Sequence, residues 1–206
     1  MVKGLCHRYL PTADMPSVCR LSLDRALLPL LGRLKPGVVL DVGAKDSPYR
    51  RHLVAGRYMT LDLDPGSQPD ICADLCAIPW ESDYFDLVLA TEVLEHLAEP
   101  ARAVAEMGRI LKPGGACVLT TRFMYMYHPD PADYYRFTAD SLAYLFRDFA
   151  EAEVIPHGNG FQLIWHILNN EYRHSRFLLN VFNGLVSRVR VERTCFPLGF
   201  VVMARK

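Results

Sequence analysis

His128 and Asp133 lie close together in a stretch crowded with aromatic and charged side chains, residues 122–138. Histidine is the side chain whose ordinary pKa suits proton transfer near neutral pH, and a nearby carboxylate can orient the ring or act as the base itself. Tyr134, Tyr135 and Arg136 follow directly, with the surface and charge to shape a pocket for a polar molecule. Upstream, carboxylates recur at or just beyond the ends of apolar runs: Asp41, Asp62 with Asp64, Asp74 and Glu92. Gly43 and Ala44, after the first run, let the backbone turn sharply and approach a ligand closely.

The elements that must position these groups can be read from periodicity. Leu23, Ala26, Leu27, Leu30, Leu31 and Leu34 recur at helical spacing until Lys35-Pro36-Gly37 stops them. Val38 to Val42 is a continuous apolar run broken by one carboxylate, as a parallel strand covered on both faces would read. A short helix over 49–54, a strand from Tyr58 to Asp64 and a shorter strand over 71–75 follow. Tyr84 to Ala90 reads as a fourth strand. Pro100 to Leu111 reads as a helix with proline near its first turn and Lys112-Pro113-Gly114-Gly115 as its stop. Residues 116–121 form a fifth strand, Thr138 or Asp140 caps a helix running to about Phe149, and strands at 152–156 and 199–204 complete the series.

Strands alternating with helices predict a parallel sheet of βαβ units. Ligands of such sheets bind beyond the carboxyl ends of the strands. The chain reads as a single domain, 1–206. It has a lead-in and helix (1–37), a first half (38–122) and a second half (123–206) holding a helical insertion at 161–190. That insertion has an apolar face of Leu178, Val181, Phe182, Leu185 and Val189, with Arg173, Arg176, Arg188 and Arg190 opposite. It could cover a pocket, form a dimer face or lie on a membrane surface, with ordinary core packing preferred to membrane contact.

Half of the 206 residues are hydrophobic and 22% are charged, which is globular composition. A formal net charge of +0 gives no electrostatic case for nucleic acid. The amino terminus lacks the apolar core of a signal peptide, and no apolar run reaches the ~18–20 residues of a membrane span. The six cysteines form no paired framework and no zinc-type spacing, so no metal is expected. Cys72 and Cys117, inside apolar runs, read as small hydrophobes. Reduced thiols point to a cytoplasmic setting.

Five motifs in order resemble the class I S-adenosylmethionine-dependent methyltransferases, in particular their type 11 group. They are Val39-Leu40-Asp41-Val42-Gly43, Leu61-Asp62-Leu63-Asp64, Ala73-Asp74-Leu75-Cys76-Ala77-Ile78-Pro79, Tyr84-Phe85-Asp86-Leu87-Val88 with Val93-Leu94-Glu95-His96-Leu97, and Arg109-Ile110-Leu111-Lys112-Pro113-Gly114-Gly115. The resemblance implies a Rossmann-like seven-stranded, mostly parallel sheet with helices on both faces and an antiparallel last strand. It implies S-adenosylmethionine as cofactor. Asp62 would accept from the ribose hydroxyls, with Asp64 as the alternative, and a carboxylate at that spacing does the same in dinucleotide-binding folds. Asp74 and Leu75 would meet the adenine edge. Gly43 and Ala44 would lie against the methionine part, Asp41 beneath that turn, and Glu92 near the sulfonium. His96 reads as structural. The family's first turn usually has glycine at alternate positions; here they are Gly43, Lys45 and Ser47. A positive φ at Lys45 would cost on the order of 1 kcal/mol, and its side chain would either crowd the cofactor or approach its carboxylate.

His128-Pro129-Asp130-Pro131-Ala132-Asp133-Tyr134-Tyr135-Arg136-Phe137-Thr138 resembles a subgroup often associated with polysaccharide and glycan biosynthesis. The implied reaction is methyl transfer to a small-molecule or glycan acceptor, at oxygen, with His128 as base, Asp133 as its orienter or alternative, and Tyr134, Tyr135 and Arg136 around the acceptor. Nitrogen or carbon methylation on the same fold is one alternative. A non-catalytic partner subunit with an eroded cofactor site, motivated by Lys45 and Ser47, is another. A nicotinamide-dependent oxidoreductase is disfavoured, because the first turn lacks the Gly-x-Gly-x-x-Gly fingerprint.

Overall fold

The apolar run at Val38–Val42 forms β1, a central strand of a seven-stranded sheet. The computed structural model describes residues 16–129, 131–171, 182–191 and 194–206. Around β1 stand β2 (Arg57–Asp62), β3 (Ile71–Cys72), β4 (Phe85–Thr91), β5 (Leu111–Arg122), β6 (Glu151–His157) and β7 (Gly199–Arg205). Their spatial order is β3-β2-β1-β4-β5-β7-β6. The pairs from β3 to β5 are parallel, and β7 is antiparallel to both its neighbours, so β6 again runs with the rest. This is the sheet the sequence implied.

Successive residues of the central strands enter two different cores, which is why those strands read as unbroken apolar runs. Leu40, Val42, Val88, Ala90, Cys117, Leu119, Phe200 and Val202 face one side. There they meet Ala103, Val104 and Met107 of α2 (Pro100–Ile110), with Leu142 of α3 (Ala139–Leu145) and Phe146 just beyond it. Val39, Leu87, Leu89, Ala116, Val118 and Val201 face the other side, against Leu23, Leu27 and Leu31 of α1 (Val18–Leu31). Ser17 caps α1 by accepting from the Arg20 amide, and Thr138 and Ser141 cap α3 reciprocally.

Several boundaries differ from the sequence reading. The stretch over 49–54 holds only a 3-10 turn, Arg50–His52, anchored by the buried Tyr49. β3 is two residues long at the sheet edge, and Cys72 on it is exposed rather than packed. Lys112 to Gly115 ends α2 but belongs to β5, which meets β4 through a register shift between Phe85 and Leu87. A bulge absorbs the extra residues without ending the strand. α3 stops at Leu145, short of Phe149, although Phe146 and Phe149 still pack together at 5.2 Å.

The late insertion departs most. α4 (Gly160–Glu171) and a helical stretch at 182–186 are joined through polar side chains. Gln162 Nε2 donates to the Ser187 carbonyl at 3.0 Å, and Trp165 Nε1 and Asn169 Nδ2 both donate to Asn183 Oδ1, at 2.9 and 3.0 Å. Phe182, Leu185 and Val189, read as a packed face, are exposed. Val186 and Asn183 turn inward instead. The hydrogen-bonded seam, not the apolar stripe, sets the rotation of this segment. Arg173, Arg176, Leu178 and Val181 lie outside the described residues, as does Cys6. Among the described residues no helix is long and apolar enough to cross a membrane.

Candidate functional site

The carboxyl ends of β1, β2 and β4 lie side by side, because Val42 pairs with Leu61 on one flank and Ala90 on the other. The residues that follow those ends therefore share one edge of the sheet. After β1 the chain turns through Gly43 at φ +63, Lys45 at φ +38 and Ser47 at φ +43. The left-handed backbone expected where the family has alternate glycines is thus present at two residues with side chains. Lys45 and Ser47 carry steric strain that glycine would avoid. Gly43 has a second constraint, since a Cβ there would collide with the Val93 side chain. Gly43→Ala is expected to destabilise the fold by about 2 kcal/mol, lowering the thermal midpoint by roughly 4–8 °C in a scanning-calorimetry comparison.

Asp41 sits beneath the turn, 2% exposed, and accepts from the Tyr58 hydroxyl at 2.7 Å. Burial pushes its carboxyl up to about 6, against the downward pull of the hydrogen bond from Tyr58. Asp62, at the end of β2, ties two turns together. Its Oδ2 accepts from the Lys45 amide at 3.3 Å and its Oδ1 from the Asp64 amide at 3.0 Å. Each oxygen keeps a further lone pair for a ligand. Asp64, exposed, caps its own turn by accepting from the Gly66 amide at 2.8 Å. Asp74 likewise accepts from the Cys76 amide at 2.8 Å and stays exposed, while Leu75 and Ala44 are buried.

Glu92 follows β4 at φ +57. Its Oε1 accepts from Thr120 Oγ1 at 2.9 Å, and its carboxylate is ion-paired with Arg122 at the end of β5. Arg122 in turn lies 4.3 Å over the Tyr125 ring. The sequence showed no partner for Glu92, because Arg122 reaches it only through the β4–β5 pairing. Beside the first turn a cavity of about 470 Å³ is lined by Arg20, Asp46, Ser47, Pro48, Arg50 and Arg51. Arg20 reaches the turn from helix α1, a placement no spacing in the sequence records, whereas Arg50 and Arg51 follow the turn directly.

On the acceptor side, His128 and Asp133 do come together. The His128 amide donates to Asp133 Oδ2 at 2.9 Å, and ring Nδ1 lies 3.3 Å from the same oxygen and 3.1 Å from the Met126 carbonyl. A proton on Nδ1 leaves Nε2 as the lone-pair nitrogen. Burial holds the His128 ring below its ordinary pKa, though the Met126 carbonyl and Asp133 pull it upward. Asp133 has a side chain 1% exposed and is gripped by both guanidinium nitrogens of Arg136. Burial pushes its carboxyl up, but Arg136 and His128 outweigh that and hold it at about 2.

Arg136 also donates to the carbonyls of Met126 and Tyr135, so its charge serves the loop. Tyr135 donates to the Ala98 carbonyl at 3.1 Å, and Tyr134 is exposed. A cavity of about 330 Å³ separates this loop from α4, lined by Phe123, Met124, Tyr125, Met126, Leu163, His166, Ile167 and Asn170. Tyr125 stacks on His166 at 5.0 Å and meets His128 edge-on at 5.0 Å, linking that cavity to the histidine. His96 also touches His128, ring to ring at 4.9 Å.

The upper edge therefore presents carboxylates and a tight turn, suited to a ligand bearing hydroxyls and positive charge. The lower part presents an oriented imidazole beside an aromatic cavity. Residues 40–119 match the family described as a methyltransferase domain. An uncharacterized methyltransferase of Mycobacterium avium is 34% identical over 96 residues, 40% of this chain and 38% of that protein. The chain thus spans well under half the length of that relative. In structure, a SAM-dependent methyltransferase from Archaeoglobus fulgidus aligns with a TM-score of 0.60 at 13% identity, covering 90% of this chain and 92% of the other. The [4+2]-cyclase SpnF aligns at 0.58 and 17% identity over 95% of this chain and 84% of its own.

Proposed function

We propose that this chain, which carries a class I methyltransferase domain of the type 11 group, moves a methyl group from S-adenosylmethionine to a hydroxyl oxygen of a small-molecule or glycan acceptor. The observation that carries the oxygen assignment is the His128 ring, oriented through Nδ1 by Asp133 and the Met126 carbonyl, with Nε2 left to accept a proton. An amine that binds unprotonated needs no such base, whereas a hydroxyl gains from one.

The bound cofactor supplies a methyl group made electrophilic by its sulfonium. Asp62 accepts from the ribose hydroxyls with the lone pairs left over from the Lys45 and Asp64 amides. Asp74 and Leu75 face the adenine edge, Gly43 and Ala44 the methionine part, and the arginine-lined cavity offers charge to the carboxylate. Glu92, paired with Arg122, fixes the end of β4 beside the sulfonium. His128 Nε2 takes the hydroxyl proton as the oxygen–carbon bond forms and the sulfur–carbon bond breaks, so the leaving thioether departs neutral. Most of the acceleration comes from alignment of the two reactants. The aromatic cavity against α4, with Tyr125 and Phe123 in its wall, holds the acceptor.

The test is calorimetric titration with S-adenosylmethionine and S-adenosylhomocysteine, with thermal shift alongside. Ligand at ~100 times its dissociation constant is expected to stabilise the fold by about 2.7 kcal/mol. Absence of binding to the folded chain would replace the enzyme reading with that of a partner subunit. Turnover on amines and not on alcohols would overturn the oxygen assignment.

Affinity is also expected to depend on pH. Asp41 titrates near 6 in the free protein, and a cationic ligand favours its ionised form. Ligand binding therefore lowers that pKa, so affinity is flat above about pH 7 and falls as pH drops through 6. A loss of about tenfold by pH 5 is expected. Tyr58 donates to Asp41 and Arg50 lies over the Tyr58 ring, so these groups travel with it. Asp41→Asn should flatten the profile; an unchanged slope in that variant would assign the effect elsewhere.

A further inference from the structure

We propose that Glu95, His96 and His128 form a binding site for a divalent transition-metal cation of the zinc class. Their ligand atoms all lie within 4.8 Å of one another. Around an ion with bonds of ~2.0 Å, tetrahedral ligands sit about 3.3 Å apart. Closure thus asks for a contraction of roughly 1.5 Å.

Each group is prepared for the role by what holds its other side. His96 Nδ1 bonds to the Ala132 carbonyl, and His128 Nδ1 faces the Met126 carbonyl and the Asp133 carboxylate. A carbonyl can only accept, so both rings carry their proton on Nδ1 and present Nε2 as the lone pair. That is the orientation that carbonyl and carboxylate partners impose on metal-ligating histidines. Glu95 is fully buried: Thr121 donates to its Oε2 at 2.9 Å, while its Oε1 has no hydrogen-bond partner among the described residues. A buried carboxylate oxygen without a partner is costly, and a cation between it and two imidazoles would satisfy it.

The backbone brings the three together as a unit. Glu95 and His96 lie on a 3-10 turn after β4, and the Glu95 carbonyl accepts from the amides of Tyr134, at 2.9 Å, and Tyr135, at 3.3 Å. These bonds fasten the His128 loop across that turn. Two imidazoles and one carboxylate are borderline ligands, suited to zinc and its first-row neighbours and poor for magnesium. Three protein ligands leave a coordination position open. The site stands without the methyl-transfer reading. The ion takes the Nε2 lone pair, so the metal-bound form and the form in which His128 acts as a base are mutually exclusive states of the protein.

The test uses chelator-treated protein titrated with Co2+, followed by its visible absorption, and then with Zn2+ in competition. One equivalent of Co2+ per chain is expected, displaced by Zn2+ and not by Mg2+. His96→Ala and His128→Ala should each weaken binding at least 100-fold. Asp62→Ala, Cys72→Ser and Cys195→Ser should leave it unchanged. His128 lies in a loop that Asp133 and Arg136 hold independently, so that variant decides the matter even if His96→Ala fails to fold. No binding to the folded parent, or full affinity in His128→Ala, overturns the proposal. S-adenosylmethionine binding measured on the same samples reports separately on the methyl-transfer reading.

Discussion

Replacing Asp62 with alanine is expected to weaken S-adenosylmethionine binding by about 10- to 100-fold while leaving the protein folded. The estimate follows from what the carboxylate touches. Hydrogen bonds between an ionised carboxylate and two ribose hydroxyls are worth about 1.5–3 kcal/mol together. The same side chain also accepts from the Lys45 and Asp64 amides, so its loss slackens the turn after β1. Those amides are exposed and can turn to water, which limits the structural penalty to about 1 kcal/mol. Asp62→Asn separates the two effects. The amide keeps one acceptor for the turn but gives up the charge, and an intermediate loss of affinity is expected. Calorimetric titration of the three proteins reads this directly, and an alanine variant with the parent's affinity would remove Asp62 from the cofactor site. S-adenosylhomocysteine should show a loss of the same size, because it carries the same ribose.

The features that proved legible in the sequence are those fixed by local chemistry. An apolar run such as Val38–Val42 has one economical burial, between two layers, and its residues divide between the two cores in strict alternation. The turn after β1 was legible as a turn, and a positive φ at Lys45 as a condition of it; the positive φ at Ser47 was not foreseen. The pairing of His128 with Asp133 was also within reach, both residues lying in one short loop. The partners that come from elsewhere in the chain were not. Arg122 meets Glu92, and His96 meets His128, only because β4 and β5 are neighbours and the loop after β5 folds back over the turn after β4. No spacing in the sequence records that return. The insertion misled for a different reason. Its apolar residues have helical periodicity, but the buried seam is made by Gln162, Trp165, Asn169 and Asn183, and a hydrogen-bonded seam has no hydrophobic period to detect. Arg136 shows the same limit. Its position beside two tyrosines suggested a hand for the acceptor, whereas its nitrogens are spent on Asp133 and on loop carbonyls.

That arrangement makes Asp133 the residue whose removal should cost most. Asp133→Ala takes away the partner of the Arg136 guanidinium, the acceptor of the His128 amide and the carboxylate beside His128 Nδ1 in a single change. Breaking a fully buried pair by removing one partner costs 3–5 kcal/mol. Arg136 keeps some solvent and two carbonyl partners, so about 2–3 kcal/mol is the better figure. In a chain of this length that is a fall of roughly 4–12 °C in thermal midpoint. Turnover should fall as well, by the 10²–10⁴-fold typical of a lost or misoriented general base. His128→Ala provides the contrast. It leaves the Asp133–Arg136 grip intact, so its thermal midpoint should stay within about 3 °C of the parent while the rate falls by at least ~100-fold. Cofactor affinity should hold in both variants, because neither residue reaches the turn after β1. The two measurements bear on different links of the argument. A stable but slow Asp133→Ala would mean that the loop is held by its backbone alone and that Asp133 acts only through the imidazole. An unstable Asp133→Ala whose rate matches the parent's would make the whole cluster a structural clasp, and the base would have to be sought elsewhere around the aromatic cavity, where His166 faces Tyr125.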